Sequence, residues 1–331
     1  MANKTKTHPF YHLRPNKFID RHLFIQTLRE LRKIYSIETY QYVGLGSFFF
    51  DDFKVIHNQL GIFDMISLES DVDICKRAKF NKPYSCISIQ NTTTTDYISS
   101  ISLEKSVIFW MDYTAPSEIG EQFSDFCTLV GKMQPGDIVR ITLNANPTSL
   151  DGCRQSDNQD IKAIQENRLR ELKNKIGSYV PSDTLAGSMS YEKYPLLLLS
   201  CLRNAAYQTL SSLQSKRVLP LFSSQYADGQ QMITLTSIII DDDKTEGEIK
   251  DLLRKYDYIN FTWDNPCRIQ VPELTTKEIL HINNSLPIKR SIKQIEKKFS
   301  FAFQNSTDLE EAIRCYAAYY KYYPNFRHIN L

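Results

Sequence analysis

Between Tyr40 and Leu143 the chain alternates short β-rich runs with helix-forming stretches, and this rhythm limits the possible folds more than any single residue does. The runs Tyr40–Val43, Met65–Leu68, Cys86–Ile89, Val107–Met111 and Asp137–Leu143 are strand-like. Helical spacing occupies Phe50–Gln59, Val72–Lys79 and Glu118–Lys132, the last with Ile119, Phe123, Phe126 and Val130 on one face. Parallel strands need long crossovers, so this order predicts an α/β fold with a parallel sheet between layers of helix. A further helix is expected at about Lys17–Tyr35, ahead of the first strand, and another at Leu196–Leu210. Val218–Tyr226 and Met232–Ile240 flank the turn signal Ala227-Asp228-Gly229-Gln230, which predicts an antiparallel hairpin at the end of the sheet.

Two segments depart from the alternation. An insertion at about 148–194, with a charged helical part at Asp160–Lys175, is longer than an ordinary connector and is a candidate lid. After Asp241-Asp242-Asp243 the composition turns Lys/Glu-rich, with prolines at 266, 272 and 287 and a capping signal at Thr275-Thr276-Lys277-Glu278. The expected division is therefore a Rossmann-like domain over 1–243 and a small, mainly helical C-terminal domain over 244–331.

Forty basic and thirty-eight acidic residues leave a net charge of +2, so overall charge makes no case for a dedicated nucleic-acid binder. No run approaches the roughly 20 apolar residues that span a bilayer, and the N-terminus lacks an apolar signal core. A cytoplasmic protein without membrane contact is expected. The seven cysteines are scattered, with no Cys-x-x-Cys and no histidine at zinc-site spacing, so they read as reduced thiols and no metal site is expected.

The run Tyr40-Gln41-Tyr42-Val43-Gly44-Leu45-Gly46-Ser47 looks like a strand feeding a nucleotide-binding turn. Glycines at 44 and 46 let a backbone approach a ligand without a Cβ. The second strand ends on Glu69, where doubly wound folds place a carboxylate that accepts hydrogen bonds from a ribose diol. Asp112 ends the fourth strand, at the edge of the sheet where such folds bind ligands, and Asn144 ends the fifth.

Taken in order, these motifs resemble class I S-adenosylmethionine-dependent methyltransferases, whose seven-stranded, mostly parallel sheet ends in an antiparallel hairpin. Arg14-Pro15-Asn16-Lys17, Asp20-Arg21, Tyr42–Ser47, Phe109-Trp110-Met111-Asp112-Tyr113 and Thr142-Leu143-Asn144-Ala145 look like a bacterial family described as O-methyltransferases. The resemblance covers about residues 10–240. It implies S-adenosylmethionine as cofactor, held by Gly44, Gly46, Ser47 and Glu69, with Asn91 or Asp96 near the adenine amino group. Asp112 and Tyr113 become the candidate catalytic residues. Arg14, Asn16 and Lys17, with Asn144, become a candidate clamp for substrate or cofactor. Two positions depart from the methyltransferase pattern: Tyr42 stands where an acidic residue is usual, and Phe48 where a third glycine is usual. Asp51, Asp52 or the Arg14–Lys17 segment are candidates to serve the amino-acid end of the cofactor instead.

The leading expectation is methyl transfer to an unidentified acceptor. The altered glycine motif motivates a second reading, a catalytically silent nucleotide-binding or interaction subunit with protein partners, for example in a bacterial defence complex. A third is methylation of a DNA or RNA base, motivated by Asp112-Tyr113 and by the aromatic series Tyr316, Tyr319, Tyr320, Tyr322, Tyr323 and Phe326. That series is better explained as helix packing than as a nucleic-acid surface.

Overall fold

The computed structural model describes residues 14–46, 48–150, 160–211, 216–287, 291–303 and 308–324. The described residues open with α1 (Pro15–Leu31), whose first residue is a proline that loses nothing by lacking an amide hydrogen there. The alternating part follows as β1 (Gln41–Leu45), α2 (Asp51–Leu60), β2 (Asp64–Leu68), α3 (Val72–Asn81), β3 (Ile87–Gln90), α4 (Thr94–Ser100), β4 (Val107–Asp112), α5 (Ile119–Lys132) and β5 (Ile138–Asn144). Next come α6 (Ile161–Ile176), α7 (Tyr194–Leu210), β6 (Arg217–Asp228), β7 (Gln230–Ile240) and α8 (Asp243–Leu253). The remainder holds β8 (Cys267–Ile269), α9 (Thr276–Asn283), α10 (Ile292–Glu296) and α11 (Leu309–Tyr319).

The sheet order is β3-β2-β1-β4-β5-β7-β6-β8. Strands β1 to β5 are parallel to their neighbours and β7 is antiparallel to β5, so the mostly parallel sheet with its terminal hairpin is present. Two corrections apply. The sheet has eight strands rather than seven, the eighth being three residues long and bounded by Pro266 and Pro272. A further helix, α4, not among those expected from the sequence, follows β3. It forms because Thr93 accepts a hydrogen bond from the Asp96 amide (3.0 Å) and donates to the Asp96 carboxylate (2.8 Å), which starts a helix in a threonine run of low propensity.

Compactness divides the chain into two units: residues 24–225 with 230–267, and residues 1–23 with 226–229 and 268–331. This differs from the expected boundary at 243, since α8 buries Ile249 and Leu253 and belongs to the larger unit. In the larger unit one face of the sheet, with Val43, Phe109, Met111 and Ile141, packs on Phe123, Phe126 and Val130 of α5 and Leu198 and Leu202 of α7. Much of the 148–194 insertion is part of this core, with Leu150, Leu169, Leu172, Ile176 and Met189 buried; residues 151–159 lie outside the described residues.

The opposite face carries a polar seam. Register sets Ser67, Gly44, Trp110, Arg140 and Thr236 side by side across five strands. Arg140 is fully buried, its guanidinium 4.6 Å from the Phe24 ring centroid and 4.7 Å from that of Trp110, and it donates to the Thr236 hydroxyl. Aromatic faces and a hydroxyl acceptor offset part of the cost of burying that charge.

The smaller unit has its own core of Ile282, Ile295, Phe303, Ala312, Ile313 and Tyr316. Tyr316 donates to Asn283 (3.0 Å) and Tyr323 to the Pro272 carbonyl (3.1 Å), so these two aromatics of the C-terminal series serve packing. Phe326 lies outside the described residues. No helix among the described residues is long and apolar enough to cross a membrane.

One lysine ties α5 to α4. Lys132 Nζ donates to the carbonyls of Ile98, Ser99 and Ile101 at 2.7, 2.8 and 3.1 Å, closing the C-terminal end of α4. Lys132→Met should cost about 1–2 kcal/mol through loss of a charged helix cap. Thermal unfolding followed by circular dichroism checks this, the expected drop in melting temperature being roughly 2–8 °C.

Candidate cofactor and active site

A cavity of about 390 Å³ opens at the carboxyl edge of the sheet, within the larger unit. Leu45 and Gly46 after β1, Leu68, Glu69 and Ser70 after β2, and Asp112 to Ala115 after β4 form its floor. Thr92 to Thr95 around the start of α4, Glu118 just before α5, and Glu121, Gln122 and Asp125 of α5 form its walls. Parallel strands bring these ends together because their carboxyl termini share one edge.

Five carboxylates, Glu69, Asp112, Glu118, Glu121 and Asp125, line the cavity, with no lysine, arginine or histidine among the described lining residues. Several are held in place. Glu69 Oε1 accepts from the Asp71 amide (3.0 Å), and partial burial raises its pKa above the ordinary carboxylate value. The Tyr113 hydroxyl donates to Asp125 Oδ2 at 2.7 Å. Burial, reinforced by the adjacent Asp125 charge, pushes the Tyr113 pKa far up, so its hydroxyl stays protonated as a donor. Asp125 is also shifted upward, by burial. Thr95 donates to Glu121 Oε1 at 2.7 Å, and Gln122 Nε2 to the Ala115 carbonyl at 2.6 Å.

Of the residues singled out in the sequence, Gly46, Glu69, Asp112 and Tyr113 meet at this cavity. Ser47 lies outside the described residues. Gly44 sits one step back in the strand, where a Cβ would fall 2.8 Å from the Tyr42 hydroxyl. Asn91 does not line the cavity; its Nδ2 donates to the carbonyls of Glu69 (2.8 Å) and Ser70 (3.1 Å) and fixes the turn that presents Glu69. Asp96 is the partner of Thr93 in starting α4, and Asn144 Oδ1 accepts from the Asn146 amide (3.0 Å) in a turn.

The Arg14–Lys17 segment belongs to the smaller unit at this point. There the Asp228 carboxylate receives the amides of Asn16 (3.3 Å) and Lys17 (2.8 Å), capping α1 from the tip of the β6–β7 hairpin. Asn16 Nδ2 also donates to Asp228 (2.9 Å) and to the Ala227 carbonyl (3.1 Å), and its Oδ1 accepts from the Val271 amide (2.8 Å). The Asn16 side chain is thus committed to closing that unit.

The two departures in the glycine turn have local reasons. Tyr42, fully buried, sends its hydroxyl to Asp52 Oδ2 at 2.7 Å, so a carboxylate on the first turn of α2 is held by the tyrosine that replaces the usual acid. Phe48 packs beneath the Arg77 guanidinium, 3.7 Å from its ring centroid. Just beyond, Phe50 adopts a left-handed conformation (φ 53°) at the start of α2, an unusual state for a bulky residue that burial against Phe53 holds in place.

Sequence reasoning missed the α5 carboxylates Glu121 and Asp125 and the threonines 92–95. The signal for the first pair was their spacing of four, which places them on one side of a helix that had been read for its apolar stripe alone.

Gly46 is where a side chain is least tolerable, since a Cβ there would fall 1.7 Å from Ser67 Oγ and 3.1 Å from Ser67 Cβ. Gly46→Ala should destabilise the fold by about 1–3 kcal/mol through overpacking. Ser67→Ala in the same chain removes the closer clash and should recover most of the loss in a denaturant titration.

Comparison with known proteins places the chain in a family. The sequence matches over residues 9–331 the family described as "Putative O-methyltransferase". No protein of curated function matches. Among solved structures, the N-methyltransferase NodS from Bradyrhizobium japonicum is similar at 9% identity, covering 68% of this chain and 97% of that one with a TM-score of 0.37. Trm1 from Pyrococcus horikoshii, solved with S-adenosyl-L-methionine, is similar at 10% identity, covering 91% of this chain and 75% of that one with a TM-score of 0.46. Likenesses at this level carry no argument about chemistry, and the assignment rests on the family match. That match takes in both compact units, and the chain belongs to this methyltransferase family.

Proposed function

We propose that the cavity at the carboxyl edge binds S-adenosylmethionine and that the chain transfers its methyl group to an acceptor held beside Asp112. The carrying observation is the acid-lined cavity without a described basic lining residue. Such a surface favours a ligand bearing a sulfonium and an ammonium and repels the pyrophosphate of a dinucleotide or of ATP. The residues fit the cofactor in two further respects. Glu69 offers a carboxylate for the two ribose hydroxyls, and Gly46 lines the cavity where the backbone must come close. Asp52, held by Tyr42 on the first turn of α2, does not itself line the cavity.

S-adenosylmethionine, when bound, supplies a methyl group already activated by its sulfonium. What remains for the protein is to align the acceptor, exclude water and take up the acceptor's proton. Asp112 is proposed to accept that proton from a hydroxyl or amine. Tyr113, as a protonated donor to Asp125, acts as a positioning residue rather than a base. Asn91 is proposed to act one step removed from the cofactor, by fixing the Glu69–Ser70 turn.

Calorimetry with S-adenosylmethionine, S-adenosylhomocysteine, NAD and ATP tests the reading, the two sulfur compounds alone being expected to bind. Absence of binding by both would leave the silent-subunit reading in its place. With tritiated methyl donor and fractionated cell extract, nucleic acid and protein as acceptors, Asp112→Asn should lower transfer by roughly 10²–10⁴-fold while leaving S-adenosylhomocysteine affinity within about threefold.

Glu69 also sets a pH dependence. Ribose hydroxyls donate to its ionised form, so affinity should be constant at neutral pH and fall as acidification protonates the carboxylate. Because burial raises this pKa, the fall should begin at a higher pH than for an exposed glutamate. In Glu69→Gln, affinity is expected to be weaker and this part of the pH dependence lost, as measured by titration calorimetry across the acid range.

A further inference from the structure

We propose that α5, through Glu121 and Asp125, reads the exocyclic amino group of the adenine ring; this rests on the cofactor reading of the cavity. Asn91 and Asp96, the residues expected to face that amine, do not line the cavity: Asn91 is bonded to the Glu69–Ser70 turn and Asp96 to Thr93. The cavity is instead walled by residues of the first half of α5 and the start of α4. Leu45, Leu68 and Ala115 supply apolar surface for a flat ring, and the polar groups around them are unequal. Gln122 is spent on the Ala115 carbonyl, whereas Glu121 and Asp125 present carboxylates to the cavity.

A carboxylate only accepts, and it has more lone pairs than one donor can use. Thr95 donates to Glu121 and Tyr113 to Asp125, each at 2.7 Å, so both carboxylates are oriented by neighbours that themselves line the cavity. Asp125 is 3% exposed, and a rigid acceptor so far removed from water discriminates strongly between a donor and an acceptor on the ligand. Adenine presents an amine at this edge. Hypoxanthine replaces that amine with a carbonyl oxygen and carries a hydrogen on the adjacent N1, so at the position of the amine itself a carboxylate would meet an acceptor, lone pair to lone pair.

The test compares S-adenosylhomocysteine with S-inosylhomocysteine by titration calorimetry on the full chain. The wild type should prefer the adenine compound by at least about tenfold. Glu121→Gln and Asp125→Asn, whose amides can donate to the hypoxanthine oxygen, should each compress that preference by at least about threefold. Thermal unfolding of each variant accompanies the titration, and should Asp125→Asn fail to fold, the exposed Glu121 position decides. Equal binding of the two compounds by the wild type, or an unchanged preference in folded variants, overturns the assignment of α5 while leaving the cofactor reading intact. If neither compound binds, the cofactor reading itself fails and this inference falls with it.

Discussion

A parallel sheet covered on both faces drives its polar chemistry to an edge, and the rest of this structure follows from that constraint. The strand interiors must satisfy helices above and below, so Val43, Phe109 and Ile141 face one core, and Trp110 and Arg140 fill the other side. At the strand ends the chain gains freedom to present charge to a ligand. Gly46 and Glu69 lie one residue past β1 and β2, and Asp112 is the last residue of β4. The carboxylates of the cavity are therefore a product of the sheet's polarity as much as of any one loop.

The walls of the cavity are held by a second set of bonds. α4 and α5 flank β4 in sequence, one before it and one after, and Lys132 joins the far ends of the two helices. At their near ends Thr95 reaches Glu121. A cavity braced at both ends of its wall keeps its carboxylates in fixed positions, which is the condition for electrostatic selection among ligands.

Much of this was legible in the sequence because strand and helix periods differ and because strand ends have predictable directions. The parallel order, the hairpin, and the placement of Glu69 and Asp112 all came from those two rules. Other features depended on information outside any short window. The threonines at 92–95 look like loop until Asp96 is seen as the reciprocal partner of Thr93, and Cys267–Ile269 is too short to signal a strand. Tyr42 looks like a defect in the glycine motif until its hydroxyl is followed to Asp52, ten residues on. Asn91 and Asp96 occupy the stretch where a polar partner for adenine was expected, and there the turn and the helix start engage both side chains.

Asn16 has a consequence for how such a chain can change through evolution. Its single side chain joins three segments that are far apart in sequence: the start of α1, the tip of the hairpin at Ala227 and Asp228, and the backbone at Val271. The smaller compact unit is thus assembled from pieces on either side of the sheet-forming segment. It cannot be lost, gained or exchanged by a single recombination event near residue 267, as an appended domain can. Its sequence must instead vary in step with the opening helix and the hairpin, making it a constituent of the enzyme and not a detachable module.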